Sequence, residues 1–505
     1  MYRSGDFVKF DCENAIRIGR LVAIVKEEGE WRLEISALLT YDDLPKTLQS
    51  SQRQSRAAHG MLWFNDQRPI SIKPQNIIGN TTVWFEDSPH HLLSYEYHVK
   101  EIVYLWNARW RVRHVSYRHR HSSEYIHLPQ LLGDIPIRKI FLDLYHDDFG
   151  TFRSVYHSLG GVYLQFGNMP QSMRKQLKNH FPVGFVPFGG SFNDFIRPFI
   201  EELQLLEKGV KMTSLGQEVW VIAGLGSVTA DLSQGNVHAS VKNHGGIRGY
   251  RSCKISRESL TNSSFDILEN ARYHHLTDIE ITRIDQETGI ARSRLATEYG
   301  LRLHPSPFDT LLRDRHISTP HDPYHAIGGK ILRLLDVTMG LLSAFGEDVW
   351  NMHWKAIEKP VHWWRLPNPL RHRQSFMFSD GLRLVMLIPF ILRRFLQPCH
   401  IKSGSLKFFK ENLGVREDQI VPELIGCWVI VAKTTKLAFS SSFTEQKYND
   451  LAACLSQERD ILVKVLQCFA QSNNNFFNFI YTFLYISYFH RHSLISQTFT
   501  LANIW

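Results

Sequence analysis

Strand and helix patterns alternate along the middle of this chain, and this alternation constrains the fold more than any other feature. Apolar runs of strand length occur in RKIFLDLY, GVYLQFGN and EVWVIAGLGSVTA. The segment Phe192–Lys208 instead has the 3.6-residue period of an amphipathic helix, and a second helical pattern follows Asp322. We therefore predict an α/β core at residues 134–345, with acidic residues at the strand ends.

The regions on either side of this core have different patterns. Residues 1–127 contain short strand-like runs separated by turn signals, which predicts a β-rich domain, most economically a small closed or half-closed barrel. The polar segment 44–60 follows neither period and is interpreted as an exposed loop. Apolar runs at 346–472 predict a helical subdomain. The predicted fold class is therefore α/β in the broad α+β sense.

The last segment, residues 473–505, differs in composition from the rest of the chain. Phe, Tyr, Ile, Asn and Ser dominate it, and Arg491 is its only charged residue. We interpret it as translated non-coding sequence and assign it no function. Its apolar stretch 476–489 is shorter than the roughly 20 residues that a membrane-spanning helix needs, so we predict no membrane partner.

Charge and cysteine usage narrow the class of protein. The 58 Lys and Arg exceed the 49 Asp and Glu, and this excess favours polyanionic partners, with nucleic acid first. The six cysteines are scattered without a CxxC pair, which favours a reducing compartment over a disulfide framework. Charges near the N-terminus argue against a secretory signal. Neither GxxxxGK[ST] nor GxGxxG occurs, so an NTPase or dinucleotide enzyme is disfavoured.

Acidic residues follow two of the predicted strands in the same way. Asp147 lies in LDLYHDDFG, at the expected opening of a strand into a loop, and Asp231 lies in SVTADLSQGN. Converging carboxylates can hold the Mg²⁺ or Mn²⁺ of two-metal phosphoryl chemistry, as in RNase H-like nuclease cores. The third acid is best assigned to Asp322, with Glu347 and Glu358 as alternatives. A polar turn and a helix N-cap are the purely structural alternatives for the first and third acids.

Histidines cluster around the third acid without forming a recognisable zinc motif. His321 and His325 have the i, i+4 spacing of zinc ligands, but the Glu of HExxH is absent and no third ligand is evident. We interpret them, with His316, as structural or supporting residues. Cys253 has no partner cysteine nearby, so a zinc knuckle is not predicted.

A basic and aromatic segment at 108–128 is the candidate nucleic-acid site. It carries five arginines against one acid, Glu124. Alternation along RWRVR places its arginines on one strand face, where they could contact phosphates, although a solvated strand face is the alternative. The predicted DNA-binding residues are Arg109, Arg111, Arg113, Arg118 and Arg120.

The order of these motifs resembles that of a transposase family. The resemblance is carried by LYHDDFGTFRSVYHSLGGVYLQFGNMP, VIAGLGSVTADLSQGN, GYRSC and TPHDPYHAIGGKILRLLD. These runs, within 134–439, resemble the Plavaka and Kyakuja-Dileera-Zisupton transposases of fungal genomes, which are DDE enzymes with an RNase H-like core. The resemblance implies Asp147 and Asp231 as the first and second acids and Asp322 as the third. Of the paired cysteines common in that family, only Cys253 is present.

The N-terminal runs GDFVKF, IGRLVAIVKEEGEWRLEISALLTYDDLP, GMLWFND and VWFED resemble a BAH (bromo-adjacent homology) domain. That resemblance implies a barrel that binds histone tails or other chromatin proteins. Five aromatic residues could line a reader pocket or fill the domain core: Trp31, Tyr41, Trp63, Phe64 and Trp84.

Two functions remain open. One is a transposase-derived nuclear protein that binds DNA and chromatin after its catalysis has lapsed. The other is an active DDE transposase that performs Mg²⁺-dependent strand cleavage and transfer, for which a homo-oligomer would be required.

Overall fold

The computed structural model of the chain describes residues 2, 6–13, 15–27, 29–66, 69–85, 97–114, 122, 135–150, 157–243, 245–259, 262, 265–363, 366–372, 375–440, 442 and 444–470. Two β-sheets and a helical C-terminal region are present, which confirms the α+β class. The chain divides into two compact units: Met1–Tyr117 with Ser264–Ile279, and Arg118–Ser263 with Glu280–Trp505.

The first unit contains a mostly antiparallel sheet. Its strands are β1 (Phe7–Cys12), β2 (Ala15–Glu27), β3 (Glu30–Leu39), β4 (Met61–Asn65), β5 (Ile70–Ile72), β6 (Ile77–Asn80), β7 (Val83–Phe85), β8 (Tyr97–Trp106) and β9 (Arg109–His114). Their order is β6-β1-β2-β3-β4-β8-β7, with β5 paired to β3 and β9 paired to β8. Alternate side chains such as Val8 and Phe10 are buried, as expected for strands with one face on a core.

The prediction of an exposed loop at 44–60 is wrong for part of that segment. Helix α1 (Ser51–Ala57) lies within it, and the Ser50 side chain caps this helix by accepting a backbone N–H hydrogen bond. Leu44 and Leu48 are buried beneath it. A seven-residue helix is too short to show a clear 3.6-residue period, so pattern analysis did not detect it.

The second unit is built on a five-stranded sheet. The strands are β10 (Ile137–Gly150), β11 (Ser158–Phe166), β12 (Phe181–Val186), β13 (Val210–Ser214) and β14 (Gln217–Ala230), in the order β12-β11-β10-β14-β13. β10, β11 and β12 form an antiparallel meander, whereas β14 lies beside β10 and runs parallel to it. The two acid-bearing strands are therefore direct neighbours.

Helix α3 (Phe192–Lys208) covers one face of this sheet, with the bounds that the sequence pattern predicts. Its Ile196 and Ile200 belong to the same buried cluster as Leu142 and Leu144 of β10. Because side chains alternate along a strand, the odd-numbered residues of β10 project from the opposite face. That opposite face carries the candidate site.

The remaining helices are α2 (Gln171–Arg174), α4 (Leu232–His238), α5 (His274–Gln286), α6 (Gly289–Tyr299), α7 (Pro323–Leu341), α8 (Ala344–Ala356), α9 (Phe378–Phe395), α10 (Ser403–Leu413), α11 (Glu417–Ala438) and α12 (Glu445–Ala470). Helices α7 to α12 contribute to one large apolar core that includes Trp350 and Trp428. This core explains why the sequence beyond Trp350 shows long apolar helical runs.

Among the residues described, no helix has both the length and the apolar character required to cross a membrane. The apolar stretch 476–489 lies outside the described residues.

Candidate active site

Asp147 lies within strand β10, so the prediction that the strand opens into a loop at this point is wrong. Pairing between β10 and β11 continues past Asp147, which is opposite Gly161, to the end of the strand. The strand therefore holds the Asp147 backbone rigidly. The hydroxyl of Tyr145, two residues earlier and on the same face, donates a hydrogen bond of 3.0 Å to Asp147 Oδ2.

Asp231 is the first residue after strand β14, and it caps helix α4. Its Oδ1 accepts a 2.6 Å hydrogen bond from the backbone N–H of Gln234. The last registered pair of the parallel strands is His146 with Ala230, so Asp231 comes next in register to Asp147. Neighbouring strands lie about 4.8 Å apart, which places the two acids side by side where β14 ends.

Asp322 caps helix α7, which is the structural role that the sequence left open for it. Its Oδ1 accepts a 2.7 Å hydrogen bond from the backbone N–H of Tyr324. Its Oδ2 contacts Nδ1 of His325, one turn further along the helix. Both carboxylate oxygens of this acid are therefore engaged within α7.

The three acids influence the pKa values of the same two side chains, Tyr145 and His325. Burial raises the pKa of Tyr145, and the negative charges of Asp147, Asp322 and Asp231 raise it further. Burial alone would lower the pKa of His325, but its contact with Asp322 and the charges of Asp231 and Asp147 raise it above its ordinary value. All three acids therefore lie close enough to Tyr145 and His325 to influence their pKa values.

The alternative third acids are placed differently. Glu347 lies in the first turn of α8 and Glu358 follows that helix, and both are exposed. Neither is among the charges that shift the pKa of Tyr145, Asp147 or His325.

The donor set of this site is suited to Mg²⁺. In the described parts of the chain, no group of three or more His, Cys, Asp or Glu side chains is arranged to hold a metal ion. Mg²⁺, however, is commonly held by one or two carboxylates with water and substrate oxygens. Burial raises the pKa of Asp147, and the carboxylates of Asp231 and Asp148 add to this, whereas the Tyr145 hydrogen bond and the charge of His325 lower it. The two adjacent carboxylates of Asp147 and Asp231 are a donor set of the kind that Mg²⁺ takes.

A pocket of about 460 Å³ opens on the acid-bearing face of the sheet. Asp147 forms part of its lining together with the aromatic rings of Tyr145 and Tyr163. Gln165 and Thr229 add polar groups. The pocket gives a ligand access to Asp147.

Sequence reasoning missed some of the side chains that complete this site. Tyr145 could have been found from its spacing, because residues two apart on a strand share a face. His325 was noticed, but its role beside Asp322 follows only from the helix geometry, in which residues three apart are neighbours.

The arginines predicted to bind DNA are only partly described. Arg109 is exposed at the start of β9. Arg118 and Arg120 lie outside the described residues.

The other two arginines of β9 are paired with acids of the first unit. Arg111 Nη1 lies 3.2 Å from the buried carboxylate of Asp266 and also contacts Glu269. Arg113 is 8% exposed, and its Nη2 lies 3.6 Å from Asp66 Oδ2. Because these two arginines are paired with acids, β9 offers less positive charge to phosphates than the sequence RWRVR predicts.

The five aromatic residues of the possible reader pocket have different surroundings. Trp63 is fully buried, and Tyr41 and Phe64 pack against core clusters, as side chains of a small β domain commonly do. Trp31 is 56% exposed. The side chain of Trp84 lies outside the described residues.

Comparison with known proteins identifies no family for this chain. No protein-family model matches it, and no curated protein matches it significantly. Its function is therefore argued from the site itself.

Proposed function

We propose that this chain is a transposase-derived nuclear protein whose core is RNase H-like and cleaves and transfers DNA strands with Mg²⁺. The observation that carries this proposal is the strand register that places Asp231 next to Asp147, together with the influence of Asp147, Asp231 and Asp322 on the pKa values of Tyr145 and His325. The strand order supports it as well, because an antiparallel meander is followed by a strand parallel to its first member. The order of the transposase-like motifs that contain these acids also supports the proposal.

The roles of the residues follow from their positions. Asp147 and Asp231 would hold the cation, since they lie side by side on neighbouring strands, where β14 ends. When bound, Mg²⁺ activates the attacking water or 3′-hydroxyl and stabilises the leaving oxygen. Tyr145 orients Asp147 by donating a hydrogen bond to it. Against the effect of burial, the contact with Asp322 raises the pKa of His325, and the protonated ring would donate a hydrogen bond to a non-bridging phosphate oxygen.

The partners of the protein belong to the same proposal. The net charge of +9 favours DNA as a partner. The ion pairs that Arg111 and Arg113 form with acids make the arginines of β9 less suited to be the main DNA contact. The first unit would bind chromatin as a BAH-like module, with Trp31 as its exposed aromatic side chain. A homo-oligomer would allow the two DNA ends of a transposon to be held together.

The experiment uses the purified full-length chain with supercoiled plasmid and either Mg²⁺ or Mn²⁺. We expect conversion of the plasmid to the nicked form. Asp147→Asn and Asp231→Asn should each slow nicking more than about 100-fold, because loss of a ligand costs at least as much as loss of its supporting partner. Plasmid binding should persist in both variants. Asp148→Asn is the matched control, because its exposed carboxylate lies on the opposite face of β10, and it should slow nicking less than about threefold.

Equal nicking by the wild type and Asp147→Asn would contradict the assignment of the acids. A second candidate function, a DNA- and chromatin-binding protein without catalysis, is favoured by one observation: both oxygens of Asp322 are already engaged within α7. This candidate predicts that the wild type binds plasmid or nucleosomes and nicks nothing with either metal.

A further inference from the structure

Arg251 lies where the chain segments that carry Asp231 and Asp322 meet. Its side chain is fully buried. Its Nη1 donates a 3.1 Å hydrogen bond to the carbonyl of Leu232, and its Nη2 donates a 3.0 Å hydrogen bond to the carbonyl of Pro320. One planar guanidinium therefore joins the start of α4 to the segment that leads into α7.

Two residues of helix α4, Gly235 and Asn236, lie directly against this guanidinium. A Cβ atom on Gly235 would lie 2.3 Å from Arg251 Nη1, so only glycine leaves room for it. The next residue, Asn236, accepts a 3.2 Å hydrogen bond from Nη1 through its Oδ1. Its Nδ2 donates a 2.7 Å hydrogen bond to the carbonyl of Gly249, which fixes the amide. The close fit leaves the guanidinium little freedom to move.

A second contact joins the same two segments. Ser252 Oγ and His321 Nε2 are 2.6 Å apart, next to the Arg251 contacts on both sides. Residues 251 and 252 thus hold residues 320 and 321, immediately before the third acid.

The charge of Arg251 also suits the site. Burial lowers the pKa of Arg251 to about 10, and the carboxylates of Asp231 and Asp322 oppose this change, so the guanidinium stays charged at neutral pH. Among the described residues it forms hydrogen bonds but no salt bridge. Because it bonds carbonyls beside the acids, it fixes their position without occupying their oxygens.

We propose that Arg251 is a positioning residue that holds Asp231 and Asp322 in register with Asp147 for metal-dependent DNA cleavage. This inference rests on the function proposed above. It gives a structural role to the Arg of the GYRSC motif, for which the sequence alone predicts none.

The test measures Mn²⁺ binding by the full-length chain with calorimetry and with the electron paramagnetic resonance signal of bound Mn²⁺. Arg251→Gln should weaken the affinity that depends on Asp147 by 10-fold or more, the usual range for residues that orient metal ligands. Gly235→Ala keeps the charge but displaces the guanidinium, and it should weaken binding in the same direction. Arg251→Lys keeps the charge but replaces the planar guanidinium with a single ammonium group that cannot reach both carbonyls in the same way. The Mn²⁺ affinity of this variant should therefore be intermediate.

Arg313→Gln is the matched control. Arg313 is 1% exposed, and its Nη2 donates hydrogen bonds to the carbonyl of Ser318 at 2.8 Å and to Thr319 Oγ1 at 2.5 Å, so it contacts the segment before Asp322 but, among the described residues, does not bond to α4. This variant removes an equally buried guanidinium and should change Mn²⁺ affinity less than threefold.

The outcomes separate the two proposals. If the wild type binds Mn²⁺ through Asp147 and the affinity of Arg251→Gln equals that of the wild type or of Arg313→Gln, the positioning role is overturned and the proposed function stands. If the wild type shows no Mn²⁺ binding that depends on Asp147, the proposed function fails and the positioning role fails with it.

Discussion

The charge state of His325 depends on opposing influences of its surroundings. Burial is the strongest influence and lowers its pKa, but the contact with Asp322 and the charges of Asp231 and Asp147 raise the pKa above the ordinary value of 6.5. The balance depends on one carboxylate that touches the ring. A change at that carboxylate should therefore reverse the direction of the shift.

We predict that the imidazole of His325 titrates above pH 6.5 in the wild type and below it in Asp322→Asn, since burial then outweighs the remaining charges. The measurement is an NMR titration of histidine-labelled protein, with the signal assigned by its loss in His325→Gln. Because the folded-state pKa is raised, the pair stabilises the fold fully below pH 6.5 and loses this effect as the pH rises through the raised value. An unchanged pKa in Asp322→Asn would show that the contact does not govern the charge.

Some residues of the site could be predicted from sequence and others could not. Asp147 and Asp231 belong to or directly follow apolar runs of strand length, so their association with neighbouring strands follows from local pattern, although Asp147 lies within its strand and not after it. The role of Arg251 gives no such signal, because two of its hydrogen-bond acceptors are backbone carbonyls 19 and 69 residues away and the third is the side chain of Asn236, 15 residues away. The approach of these acceptors becomes visible only in the folded chain.

At the scale of elements, α7 links the candidate site to the helical region. Asp322 caps its start. About two turns further along the helix, Lys330 is buried and contacts Glu458 of α12. Lys330 Nζ lies 2.5 Å from Glu458 Oε1, and both side chains are nearly inaccessible. Such a pair depends on both partners, because either charge alone would be buried without compensation.

We predict that Lys330→Met alone lowers the free energy of unfolding by about 3–5 kcal/mol, because Glu458 is left charged in the core. Lys330→Met combined with Glu458→Leu should recover most of this loss, since two apolar side chains replace the pair. Urea unfolding curves of the single and double variants measure the difference. A double variant as unstable as the single variant would refute this explanation.

Element prediction succeeded where a segment was long enough to show its period. The bounds of α3 match the amphipathic pattern, and the start of α7 follows Asp322 as expected. Helix α1 was missed because it spans only seven residues. The end of β10 was also misplaced, because its pairing with β11 keeps the polar residues after Tyr145 extended.

At the scale of the whole molecule, chain segments distant in sequence complete each unit. Segment Ser264–Ile279 belongs to the first unit although it lies inside the predicted core range. The buried Asp266 fixes it there by accepting a 2.9 Å hydrogen bond from the hydroxyl of Tyr104, 162 residues earlier. Local patterns do not reveal contacts over such separations, so the composition of the units could not be predicted from sequence.

The candidate site is tested most directly by a crystal structure of the full-length chain soaked in Mn²⁺, with the metal located by its anomalous scattering. We predict a peak bonded to carboxylate oxygens of Asp147 and Asp231, on the face of the sheet that carries Tyr145, and its absence in Asp147→Asn. A Mn²⁺-saturated crystal without a peak between Asp147 and Asp231 would contradict the assignment of these acids and, with it, the proposed DNA-cleaving function.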